Sequence, residues 1–108
     1  MAAVKATSFT QVATTDELPP GVMRKVVVDS TEVLLANLDG KYYAIANLCT
    51  HHGGPLDEST LRSPEVECPW HGSRFDLRTG MVTHGPAVSS EPSYEVRIEG
   101  NKVLIRPK

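Results

Sequence analysis

Four side chains in the middle of the chain have the types and spacing to hold a metal centre. Cys49 and His51 form a C-x-H pair, and after 16 intervening residues Cys68 and His71 form a C-x2-H pair. Two soft thiolates and two imidazoles drawn from separate segments leave three readings open. A disulfide between Cys49 and Cys68 would make the histidines incidental. It needs an oxidising compartment, whereas residues 1–13 carry one Lys and no apolar stretch of the signal-peptide kind, so an intracellular chain is expected. It also leaves unexplained the three histidines within four residues of a cysteine. A tetrahedral zinc site is the second reading; taken through His52, both segments become C-x2-H, a zinc-knuckle spacing. Against it, small zinc folds depend on the metal because they lack a core, and this chain has the hairpins to build one. The third reading is a [2Fe-2S] cluster with two histidines on one iron and two cysteines on the other.

Such a site needs a frame. Apolar residues come in short bursts with a period near two, and no stretch keeps the i, i+3, i+4, i+7 pattern of a helix, so a mostly β protein is predicted. Tyr94, Val96 and Ile98 alternate with Glu95, Arg97 and Glu99, Gly100-Asn101 reads as a two-residue turn, and residues 102–106 run back. Residues 32–38 and 41–47 flank Asp39-Gly40 as a second hairpin. Residues 22–28 and 9–13 read as further strands, and residues 15–21, with Pro19-Pro20-Gly21, as a turn after one helical turn opened by Thr15 or Asp16. Between residues 48 and 88 the alternation breaks down. Gly, Pro, His and both cysteines concentrate there, in CTHHGGPL (residues 49–56) and CPWHGSRF (residues 68–75). These are two loops to which the frame has given the chemistry, with glycines such as Gly53 placed where backbone must approach something closely.

The two loops resemble those of the Rieske iron–sulfur proteins, and the length and hairpin order resemble those of Rieske-type ferredoxins. The motif C-x-H-x16-C-x2-H carries the resemblance, with Gly53-Gly54 after the first pair and Pro69 before the second histidine. It implies an all-β Rieske fold: a single domain over residues 1–108, with antiparallel sheets forming a β-sandwich-like base and a small loop-built cluster lobe at about residues 48–76. It also implies one Rieske-type [2Fe-2S] cluster per chain, its inner iron on Cys49 and Cys68 and its outer iron on His51 and His71 near the surface. Rieske proteins of membrane complexes carry an extra cysteine in each loop and tie the loops by a disulfide. Those positions here are Gly54 and Trp70, a departure that places the chain with the soluble ferredoxins and Rieske domains serving oxygenases. Trp70 then either covers the cluster or packs on an apolar core.

Other residues take their roles from the same resemblance. Ser73 stands where high-potential members keep a serine that donates to a bridging sulfide, although an ordinary turn hydroxyl is the plainer reading. Phe75 stands where those members keep a tyrosine that donates to a cysteine sulfur, which Phe cannot do. Replacing two thiolates by neutral imidazoles makes the cluster less negative, which is why such centres lie at about −150 to +300 mV against about −400 mV for all-cysteine ferredoxins. With one donor present and one missing, an intermediate potential is expected. His52 is a solvated loop residue or a hydrogen-bond partner beside the cluster. In His84-Gly85-Pro86-Ala87, Pro86 is a lid over the cluster or only a turn.

The expected function is one-electron transfer by a carrier that is not itself an enzyme, from a flavin-dependent ferredoxin reductase to a terminal oxygenase of the aromatic-ring-hydroxylating type. With all four histidines at or near the cluster loops, no second His/His/carboxylate iron site is expected. Net charge −2, from 11 Lys and Arg against 13 Asp and Glu, argues against a nucleic-acid partner, and no apolar run approaches the roughly 20 residues of a membrane span. A cytoplasmic monomer with transient partners is expected. Asp57, Glu58, Glu65 and Glu67 against Arg62 alone form an acidic rim that would steer a basic docking face, unless it is an ordinary solvated edge. Two other classes stay open: a small Rieske-like subunit of assimilatory nitrite reductase, and a zinc-structured interaction module.

Overall fold

The computed structural model describes residues 9–28, 30–50, 53–70 and 72–107. The described chain is almost entirely β, as the period-two pattern predicts. Ten strands follow in order: β1 (Thr10–Thr14), β2 (Met23–Val28), β3 (Thr31–Leu38), β4 (Lys41–Ala46), β5 (Thr60–Arg62), β6 (Glu65–Glu67), β7 (Arg74–Asp76), β8 (Val82–His84), β9 (Ser93–Glu99) and β10 (Lys102–Pro107). Short 3-10 turns occupy Thr15–Glu17 and Leu56–Glu58. The first is opened by Thr14, one residue earlier than expected, whose amide donates to the Glu17 carboxylate at 3.0 Å.

Both hairpins read from the sequence form in the expected register. Leu38 pairs with Lys41 across Asp39 and Gly40, whose φ values of 55° and 92° are the double left-handed signature of a type I′ turn. Glu99 pairs with Lys102 across Gly100-Asn101. These hairpins join β1 and β2 in one antiparallel sheet of order β1-β10-β9-β4-β3-β2, while β5, β6, β7 and β8 make a second, four-stranded one.

The β3 sequence VLLANL does not alternate because both of its faces are buried. Val33 and Leu35 face a core with Leu18, Val26, Ala44, Val103 and Ile105. Leu34, Ala36 and Leu38 face a second core with Ile45 of the paired strand β4, shared with Leu56, Val66, Phe75 and Leu77 from the neighbouring sheet and loops. Cys49 and Cys68 belong to this second core. The six-stranded sheet is therefore the platform, and the small sheet is clamped on it by the apolar face that also receives both thiols.

Candidate metal centre

The two cysteine loops share one backbone design. The Cys49 amide donates to the Gly54 carbonyl (2.8 Å) and its carbonyl accepts the Gly53 amide (2.7 Å); the Cys68 amide donates to the Ser73 carbonyl (2.7 Å) and its carbonyl accepts the Gly72 amide (3.1 Å). Each loop thus closes on its own cysteine. The closing glycines have φ values of 76° and 79°, a left-handed conformation that costs other residues about 1–2 kcal/mol. Sequence spacing alone did not show that C-x-H and C-x2-H are two copies of one structure.

The loops meet at Gly54. A Cβ built there would lie 2.8 Å from Cys68 Sγ and 3.1–3.2 Å from the Trp70 ring, so only glycine lets the first loop lie flat against the second cysteine. Both cysteines are 3% exposed, and no disulfide joins them. Trp70 is half exposed, so it roofs Gly54 rather than filling the core. Ser73 is fully buried, and its Oγ accepts the Ala87 amide at 3.0 Å, which leaves the hydroxyl proton for another acceptor. That contact ties the second loop to the segment carrying Pro86, itself exposed. Phe75 is fully buried in the shared core. His51, His52 and His71 lie outside the described residues. His84, at the end of β8, is exposed.

Two buried thiols on matched loops, with a buried hydroxyl behind one of them, fit what an iron–sulfur cluster requires of its cysteine side. Residues 8–95 match the model of the Rieske [2Fe-2S] domain. The chain belongs to this family. Its cofactor is accordingly a Rieske-type [2Fe-2S] cluster, which sets aside both the zinc reading and the disulfide. Among relatives of this Rieske chain, the ferredoxin component of the naphthalene 1,2-dioxygenase system of Pseudomonas aeruginosa is 38% identical over 89 residues, 82% of this chain and 86% of that one. The solved ferredoxin of carbazole 1,9a-dioxygenase from Nocardioides aromaticivorans IC177 superposes with a TM-score of 0.89 at 41% identity, covering 94% of this chain and 99% of that one. A chain in the complex of reduced oxygenase and oxidized ferredoxin in carbazole 1,9a-dioxygenase superposes with a TM-score of 0.86 at 28% identity, covering 93% and 95%.

Two residues at the Rieske site escaped the sequence reading. Thr50, beside Cys49, donates its hydroxyl to the Ser89 carbonyl at 2.6 Å and its amide to the Glu91 carboxylate. Glu91 is 4% exposed, and burial raises its pKa to about 7 against the opposing pull of that amide. A glutamate in the polar run Val88-Ser89-Ser90-Glu91-Pro92-Ser93 carries no sequence signal of burial. The acidic rim also changes character: Glu67 pairs with Arg62 (2.9 Å) and with Arg74 (3.4 Å), and Asp57 accepts from Asn47 (2.8 Å). No helix of the described residues is long and apolar enough to cross a membrane.

Proposed function

We propose that this chain is a one-electron carrier, a Rieske ferredoxin that passes electrons from a flavin-dependent reductase to a terminal oxygenase of the aromatic-ring-hydroxylating type. It would act in the cytoplasm as a monomeric single domain without catalytic residues of its own. The observation that carries the reading is the matched pair of cysteine loops in a member of the Rieske family. Relatives named as ferredoxin components of dioxygenase systems are covered over most of their own length.

In this reading Cys49 and Cys68 hold the inner iron and His51 and His71 the outer one. When bound, a cluster with two imidazoles in place of two thiolates accepts an electron more readily than an all-cysteine one. The chain's own residues do the rest. The closing glycines, Gly53 and Gly72, close each loop on its cysteine, and Ser73 Oγ, which accepts the Ala87 amide, keeps its proton free for the sulfide donor role that the family resemblance implies. Leu48, Trp70 and Val88, which are 48%, 54% and 91% exposed, lie on the first loop, the second loop and the segment behind Ser73. Apolar side chains left in water around a redox site suit a small, transient partner interface.

The test is spectroscopic. Purified protein should be red-brown, contain iron and acid-labile sulfide in equal amounts, and show after reduction the EPR signal of mixed nitrogen and sulfur ligation. His71→Ala should abolish the visible bands and the electron-accepting capacity. Mixed with an oxidised terminal oxygenase, the reduced protein should be reoxidised within turnover time. Colourless protein containing one zinc, or unchanged His71→Ala, overturns the assignment.

A further inference from the structure

Residues 89–92 form a strap between the two sheets. On the side of the small sheet, the Glu91 amide donates to the Gly80 carbonyl (2.7 Å) and Ser90 Oγ accepts the Val82 amide (3.2 Å). On the side of the platform, the Pro92 carbonyl accepts the Ala46 amide at 2.8 Å. Gly80, at φ 81°, leaves no room for a Cβ, which would run into the Glu91 carbonyl. Among the described residues, the strap grips the first cluster loop at Thr50, by hydroxyl and amide together. Thr50 stands between the first cysteine and the first histidine of the motif.

We propose that Glu91 is a positioning residue for the cluster: it holds the first loop through the Thr50 amide and, by the charge it carries, sets how readily the centre takes an electron. The inference rests on the Rieske reading of the site. Its geometric basis is a carboxyl that reaches the loop from a pinned strap. Glu91 Oε2 is buried with no hydrogen-bond partner among the described residues, an arrangement that favours the neutral acid over the anion. Burial accordingly lifts the group to about 7. Charged side chains on the neighbouring elements are occupied with each other: Asp76 with Arg78 beside the Gly80 turn, and Glu95 with Arg106 beyond the strap. Among the described residues of the first loop, what reaches Glu91 is the Thr50 amide.

A buried negative charge beside a centre that is about to gain an electron opposes the gain; a neutral carboxyl does not. Reduction by an external electron donor should therefore draw one proton from water onto the Glu91 carboxylate whenever that group is ionised. By linkage, the equilibrium constant for reduction then falls by at most about tenfold per pH unit through the range in which Glu91 ionises.

The experiment is a pH series of midpoint potentials on the intact iron–sulfur protein, wild type and Glu91→Gln. The glutamine oxygen still accepts from Thr50, so iron and sulfide content should be unchanged. Glu91→Gln should be easier to reduce than wild type at pH 8.5, and its potential should be flat between pH 6 and 8.5, where that of wild type falls. A second measurement needs no variant: the reduced-minus-oxidised infrared spectrum of wild type at pH 7 should gain a protonated-carboxyl band. Equal potentials for the two proteins at every pH, or no such band, overturn the proposal while the cluster stands. A colourless wild type overturns the Rieske reading and this inference with it.

Discussion

Gly54 rests against the sulfur of Cys68, so that a Cβ at position 54 would stand 2.8 Å from Sγ. The same Cβ would touch the Trp70 ring at 3.1–3.2 Å. Positions 54 and 70 are the two that the resemblance to membrane-complex Rieske proteins assigns to a loop-tying disulfide, and they face each other here. A glycine under an indole replaces the covalent tie with a close packing contact.

Gly54→Ala should therefore be disproportionately harmful for the addition of one methyl group. Overpacking a tight site costs about 1–3 kcal/mol, and here the atom that must give way is an expected iron ligand. Iron and acid-labile sulfide per chain should drop, and cluster loss to a chelator should accelerate. Gly53→Ala, by contrast, meets no atom within 4 Å among the described residues, and there its φ of 76° is what penalises it. Gly54→Ala protein with wild-type iron content would show that the loops slide apart freely.

Ser73→Ala tests the buried hydroxyl. Its loss removes the hydroxyl that the family resemblance makes a donor to the cluster, and strips the Ala87 amide of its 3.0 Å acceptor, at a cost of about 1–3 kcal/mol for an unsatisfied buried group. The midpoint potential should fall and the urea midpoint should drop together. If voltammetry finds the two proteins at one potential, Ser73 is a structural hydroxyl alone.

Legibility in the sequence followed the length of the repeating pattern. The hairpin around Asp39-Gly40 and that around Gly100-Asn101 each pair six residues of one strand with six of the other, enough for alternation and turn chemistry to agree. Strands β5 to β8 are three residues each, too short for a period of two to stand out from loop. They therefore read as an unstructured middle third, although Val66 and Phe75 are fully buried there. The cysteine motif was visible because its residue types are rare. Thr50 and Glu91 were not, because a threonine and a glutamate are ordinary until a strap 39 residues downstream closes on the loop. Likewise, an acidic count over residues 57–67 could not show Arg74 folding back onto Glu67.

That pairing moderates the expected steering of partners. With Glu67 held by two arginines, the rim presents less free charge than its composition implies. The association rate with a basic partner face should fall as salt rises from low ionic strength, but shallowly, because exposed pairs are already screened within about 10 Å at 0.1 M. Arg62→Ala should steepen the dependence by removing one cation from the rim and leaving Glu67 to Arg74 alone, as stopped-flow electron transfer would read out. A rate indifferent to salt in both proteins would remove the rim from docking.

The pH dependence of stability follows from Glu91 with a definite sign. Its folded pKa is raised from 4.5 to about 7 by burial, so between those values the native chain keeps a proton that the unfolded chain has lost. The unfolded state then binds fewer protons, and stability falls as pH rises through that window; below it the group contributes nothing, and above it the full penalty is present. Glu91→Gln carries no such penalty. Its urea midpoint should gain on that of wild type as pH goes from 5 to 8, under conditions in which both retain the cluster. A constant difference between the two across that range would mean that Glu91 is ionised in the folded protein throughout, with a partner that its burial conceals.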